Sequence, residues 1–274
     1  MAAIQGLKKQ LRGIRSTQKL AKAMKTISTV KFSKLNGIYS GYAPYGKECA
    51  AMLKKFGGAF EKELGKADPF APAAVVVIAA NKGLCGSFNA EVLHFAEEKL
   101  KELGEYRIFA CGKKAAQYFK NKKIPIEKEV VFGDIPTYEE VSSLLSLLIE
   151  RRKKGEIGRV AVIYPSYRNM MQQVPAMRDL FSGAEDPEAA PCLYVPDQQT
   201  LVERSAEMVF RSVFFGWVLE TAVGAQAATL MTMRAAFDTA TEYCAQLEGR
   251  INRMRQSAVT ADVIETSAER DEKY

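Results

Sequence analysis

The spacing of apolar residues in the last third of the chain constrains the fold more than any other feature. From Phe237 they fall at Phe237, Ala240, Cys244, Leu247, Ile251, Met254 and Ala258. The steps alternate three and four, the heptad spacing of a helix that supercoils around a partner helix. No proline interrupts Thr200 to Tyr274, and one helix over that stretch would extend about 110 Å at 1.5 Å per residue. A compact domain made from 274 residues cannot bury such a helix along its length. The helix is expected to project and to need another helix over its apolar stripe.

The beginning of the chain supplies that partner. Ile4, Leu7, Leu11, Ile14, Ala21 and Met24 step by three, four or seven, and no proline precedes Pro44. This predicts a second helix of about 50 residues. It is expected to weaken near Gly37 and Gly41 and to end around Gly57-Gly58, where two glycines lie together. The two chain ends then form an antiparallel coiled coil, because a single compact body between them requires the first helix to run in and the last to run out. The expected division is an N-terminal coiled-coil helix over 1–57, a globular domain over 73–196 and a C-terminal coiled-coil helix over 199–274.

The middle of the chain alternates strand and helix signals. Ala74 to Ala80 is an apolar, β-branched run that reads as a buried parallel strand, and a glycine-bearing turn, Asn81 to Asn89, follows it. A helix is expected from Ala90 to Leu103, a strand from Tyr106 to Cys111, a helix from Lys113 to Lys120 and a short strand from Glu129 to Phe132. Thr137 caps the next helix, through Arg151, and Glu140 completes a capping box. Arg159 to Tyr164 reads as another apolar strand. Met170 to Arg178 and Cys192 to Val195 read as edge strands with proline at their margins. The fold class is therefore α/β: a long antiparallel coiled coil of terminal helices with a Rossmann-like α/β domain inserted between them.

Charge is unevenly placed. The net charge is +7, yet no acidic residue precedes Glu48, and that opening stretch carries ten basic residues: Lys8, Lys9, Arg12, Arg15, Lys19, Lys22, Lys25, Lys31, Lys34 and Lys47. The first helix thus holds the whole positive excess. A helix of this kind suits an acidic partner, nucleic acid or an anionic membrane surface, against the plainer alternative of a solvated lysine face. Single-stranded nucleic acid needs aromatic platforms among the basic residues, and Phe32, Tyr39 and Tyr42 are too few and too late to supply them. No run of 18 apolar residues predicts a membrane span, and no apolar core with a cleavage site marks a secretory signal. Five scattered cysteines without CxxC spacing point to a reducing compartment and no disulfide framework.

No stretch carries a convincing chemical motif. Gly83-Leu84-Cys85-Gly86 sits where a dinucleotide fold places its phosphate loop, but neither the G-x-G-x-x-G nor the G-x-x-x-x-G-K-[ST] spacing is present. Cys85 has no base arranged with it, since the lone histidine, His94, lies in a predicted helix. No metal or cofactor is expected. Met208, Met231, Met233 and Met254 read as helix packing. Arg250, Arg253, Arg255 and Gln256 cluster near the end of the last helix. They either complement its dipole or reach a surrounding partner, and spacing alone does not choose.

Taken in order, several segments resemble the gamma subunit of F-type ATP synthase, the central rotor shaft. They are Ile14 to Lys25 (IRSTQKLAKAMK), Gly83-Leu84-Cys85-Gly86 with Phe88-Asn89, Tyr194 to Asp197, and Glu220 to Thr260. The last includes Gln226-Ala227-Ala228, Met233, Ala235-Ala236 and Asn252 to Thr260 (NRMRQSAVT). The resemblance implies a shaft inside a hexamer of alternating alpha and beta subunits, bound below to the epsilon subunit and the ring of membrane c subunits, passing rotation to catalytic sites it does not itself contain. It implies a peripheral place on the cytoplasmic side of a bacterial plasma membrane. It also implies that Met24 and Lys25 lie near the catalytic subunits' loops, and that Arg255 and Gln256, with Thr260 beside them, form a hydrogen-bonding catch. The chain departs from the family pattern at Ala225, where an acidic residue is usual, at Thr229, where arginine is usual, at Phe237 and Thr239, and at Ala80-Asn81-Lys82. The cysteine-bearing insertion of chloroplast forms is absent. The alternative from another class is a basic coiled-coil adaptor for nucleic acid or an anionic membrane surface.

Overall fold

The computed structural model describes residues 2–63, 68, 70–181 and 197–271. Two long helices bracket the chain: α1, Ala2–Glu63, and α5, Gln198–Asp271. Between them come β1 (Ala73–Ile78), α2 (Phe88–Glu102), β2 (Tyr106–Cys111), α3 (Lys113–Asn121), β3 (Ile126–Val130), α4 (Tyr138–Lys153), β4 (Val160–Asn169) and β5 (Gln172–Asp179). The chain divides into two compact units. Unit 1 combines Met1–Ser28 with Leu230–Tyr274, and unit 2 is Thr29–Thr229.

Helix α1 runs through Gly57 and Gly58 to Glu63, beyond the end that those glycines suggest. A mid-helix glycine costs only about 1 kcal/mol relative to alanine. The buried stripe of Cys49, Leu53, Phe56 and Phe60 spans the same turns and offsets that cost. Pro44 also lies within the helix.

In unit 2 the sheet order is β3-β2-β1-β4-β5. β1 pairs in parallel with β2 and β4, β2 pairs in parallel with β3, and β5 runs antiparallel to β4. β1 is buried on both faces, as its unbroken apolar run predicts. On one face Val75 and Val77 pack with Val92, Leu93, Ala96 and Leu100 of α2 and with Phe119 of α3. On the other, Val76 and Ile78 pack with α4 and with residues of α1 and α5, including Phe60, Phe210 and Phe214. Gly112, at the turn after β2, has φ +96, and a Cβ there would lie 2.1 Å from the Ala79 carbonyl oxygen, so only glycine fits. The capping box at Thr137 is present. Its side chain accepts from the Glu140 N–H at 3.3 Å, and the Glu140 carboxylate accepts from the Thr137 N–H at 2.9 Å.

β3 lies earlier than the expected Glu129–Phe132. Phe132 is buried against the core from the loop after the strand, so its apolar character marks a packing site rather than strand alternation. The expected strand at Cys192 to Val195 lies outside the described residues. One helix, within Gln198–Ile264, is long and apolar enough to cross a membrane by composition, but 61% of its apolar window is buried inside the chain, as in a core helix.

Candidate partner interface

In unit 1 the two chain ends pair antiparallel. Arg15 donates to the Glu248 carboxylate at 2.7 Å, Gln18 Nε2 donates to Thr241 Oγ1 at 2.7 Å, and Lys25 Nζ stands 5.1 Å from the Phe237 ring centroid. As α1 advances from residue 15 to 25, its partner on α5 recedes from 248 to 237. Leu11, Cys244 and Leu247 form the buried seam, with Leu7, Ile14 and Ile251 partly buried around it. These are heptad positions read from the sequence.

This register places the five expected interface residues in two patches. Met24 and Lys25 are half-buried opposite Phe237. Arg255, Gln256 and Thr260 lie roughly 27–35 Å further along α5, at 1.5 Å per residue, where α5 runs out beside the first turns of α1. All three are exposed. Thr260 Oγ1 donates to the Gln256 carbonyl at 3.0 Å. Among the described residues, the Arg255 and Gln256 side chains find no hydrogen-bonding partner within the chain. The structure thus groups Arg255, Gln256 and Thr260 and sets Met24 and Lys25 apart from them.

Two further features of unit 1 were missed from the sequence. Leu20 and Ile27, seven residues apart and off the seam, are 61% and 49% exposed, and Val263 and Ile264 on α5 are 62% and 63% exposed. The i,i+7 repeat of Leu20 and Ile27 was a usable signal, masked by the stronger seam pattern beside it. The basic residues around them are also outward: Lys8, Lys9, Arg12, Lys19 and Lys22 are exposed and, among the described residues, make no ion pair. The surface offered is apolar side chains framed by positive charge.

In unit 2 the place to look for a ligand site is the end of the sheet. Sheets of this order bind ligands beyond the carboxyl ends of their strands, and here Val218, Thr221, Ala222, Ala225 and Gln226 of α5 occupy that position. The cavity left at those strand ends is about 70 Å³, against about 300–1,000 Å³ for ligand pockets. Cys85 is buried, takes a hydrogen bond from Asn89 Nδ2 at 3.0 Å, and has its thiol pushed up by burial, the opposite of an activated nucleophile. His94 is exposed on α2. Among the described residues no His, Cys, Asp and Glu cluster could hold a metal. Ala225 packs with Cys85 and Phe88, and Thr229 is buried with its hydroxyl donating to the Ala225 carbonyl at 2.7 Å. Both side chains thus take part in the internal packing of unit 2.

The comparisons converge. The chain matches the family described as ATP synthase over residues 3–268. It is similar to the ATP synthase gamma chain of Leptospira biflexa serovar Patoc, 28% identical over 280 aligned residues that cover 97% of each chain. It is also similar to that of an Exiguobacterium species, 25% identical over 276 residues with 97% of each covered. Among solved structures it is similar to the rotor of the Euglena gracilis mitochondrial ATP synthase. The TM-score there is 0.67 at 14% identity, covering 94% of this chain and 99% of that one, a likeness that speaks for the fold alone.

Proposed function

Since the chain belongs to the family of ATP synthase gamma chains, we propose that it is the central-stalk rotor of such a complex and performs no bond chemistry itself. The hexamer of alpha and beta subunits surrounds the paired ends of unit 1, and the epsilon subunit and the ring of c subunits engage unit 2. Rotation of the ring, driven by proton flow, turns the shaft and moves the catalytic sites through their states in sequence. The complex is bound to the cytoplasmic face of a bacterial plasma membrane. Bacterial relatives and solved neighbours described as rotor and as F1 with c-ring support this assignment. The adaptor alternative finds no support, because the family match extends over residues 3–268.

The observation that carries the proposal is the outward, internally unpartnered pair Arg255 and Gln256 on a helix end with exposed apolar residues beside it. A rotor contact has to hold and then release. An exposed ion pair is worth about 0.2–1 kcal/mol and a hydrogen bond to a charged group about 1.5–3 kcal/mol, enough for a detent and too little for a lock. Co-expression with alpha and beta subunits should yield a hexamer carrying one copy of this chain. Arg255→Ala and Gln256→Ala should each lower turnover of that complex and leave the isolated fold unchanged by circular dichroism. Unchanged turnover in both variants would remove the catch.

A further inference from the structure

The sheet of unit 2 carries one antiparallel addition to its parallel core, β5, which forms a hairpin with β4. This hairpin lies along one stripe of α5. Tyr164 stacks on Trp217, with ring centroids 5.4 Å apart and planes 20° from parallel. Ser166 Oγ and the Tyr167 N–H donate to the same oxygen of Glu220, at 3.1 and 3.3 Å. Gln173 lies against Gly224, where a Cβ would come within 3.1 Å of Gln173 Cγ and equally close to the Phe88 ring. Residues 217, 220 and 224 follow the i, i+3, i+7 spacing of one helix face. From α1, Tyr39 meets Tyr167 edge-on at 6.0 Å, and burial with the Glu220 charge nearby pushes its phenol up.

Glu220 is a costly residue for this position. Burial outweighs the hydrogen bonds from Tyr167 and Ser166 and holds its carboxyl above the usual value. A carboxyl whose pKa is raised on folding is less favourable ionised in the folded chain than in the unfolded one, so at neutral pH the charge subtracts from stability. Stability alone therefore does not explain its presence. Apolar packing, which surrounds it, is non-directional and changes little under a small slide. Hydrogen bonds to a charged oxygen are directional and stronger than neutral ones.

We propose that the β4–β5 hairpin is a clasp by which the sheet grips the shaft, and that Glu220 is its positioning residue, the carboxylate that keeps α5 from slipping past β4 under load. The proposal rests on the rotor reading above and adds to it where the grip is made.

The test uses the complete complex in vesicles, reading ATP hydrolysis and ATP-driven proton pumping together. In Glu220→Leu, hydrolysis should stay within about twofold of the parent and pumping per ATP should fall at least about threefold, because directional bonds to charge are lost. Glu220→Gln, whose amide oxygen still accepts from Ser166 and Tyr167, should keep most of the pumping, and the isolated variant should melt no lower than the parent at neutral pH. Ser166→Ala should show a smaller loss of pumping at parental hydrolysis, and it carries the test if the leucine variant does not assemble. Unchanged pumping per ATP in both Glu220→Leu and Ser166→Ala would overturn the clasp. So would a Glu220→Gln chain that melts lower and uncouples as fully as the leucine variant, because that is the signature of a structural role. A parent complex that never couples hydrolysis to pumping would instead count against the rotor reading.

Discussion

Leu247→Ala tests whether the heptad seam holds the chain ends together. Leu247 is the most deeply buried apolar side chain of unit 1, set among Leu11, Cys244 and Ile251. Leucine to alanine removes three carbons, worth about 2.4 kcal/mol at about 0.8 kcal/mol per buried methylene. Residual cavities raise such losses to about 2–5 kcal/mol in globular cores. A two-stranded seam closes around a gap more readily, so we expect a value near the lower end, about 2.5 kcal/mol, or roughly 60-fold in local opening at tenfold per 1.4 kcal/mol. Hydrogen exchange read by mass spectrometry is the direct assay. Peptides covering 4–14 and 240–251 should exchange about 60-fold faster if exchange follows local opening, while those covering β1 and β4 keep their rates. Equal acceleration in both units, or none in either, would refute the seam as the element that pairs the ends.

Three other outcomes follow. Gly112→Ala places a Cβ 2.1 Å from the Ala79 carbonyl at positive φ, so unit 2 should lose several kcal/mol, about 3 or more, seen as a collapsed melting temperature or insoluble expression. Thr137→Ala deletes the cap of α4 and should cost about 1 kcal/mol, lowering the melting temperature by roughly 2–4 °C for a domain of this size. The Asp134 carboxyl is held below its usual 3.8 by hydrogen bonds from Lys31 and then Lys82. Because the folded value is depressed, its contribution is fully present above pH 3.8 and is lost as pH falls through the folded value. Asp134→Asn should therefore flatten the acid limb of the melting temperature–pH curve below about pH 4 and lower the plateau slightly above it.

Much of this architecture was legible in local patterns that tertiary packing had no reason to override. The seam of α1 and α5, the strand at Tyr106–Cys111 and the capping box at Thr137 each rest on one strong periodicity or one local hydrogen-bond motif. The misplaced elements rest on competing signals. Gly57 and Gly58 suggested a helix end, but Phe56 and Phe60 beside them are anchored in the core of unit 2, and tertiary burial outweighs propensity. Phe132 suggested a strand and is instead a loop residue plugging that core. The two-patch arrangement of the interface was not legible, because it depends on the register of the pair. That register is fixed by contacts such as Arg15 with Glu248 and Lys25 with Phe237, which link residues more than two hundred positions apart. Glu220 gave no signal at all, since its role depends on Ser166 and Tyr167 meeting it from β4, more than fifty positions away in the chain.

Rotation itself is the most direct measurement of the central claim. Alpha and beta subunits assembled with this chain are fixed to a surface, and a bead is attached through an exposed residue of unit 2 such as Lys123. With ATP supplied, the bead should turn in one direction, pausing three times per revolution, and Arg255→Ala should slow it. A bead that stays still, or merely diffuses, while the same complexes hydrolyse ATP at full rate would contradict the account.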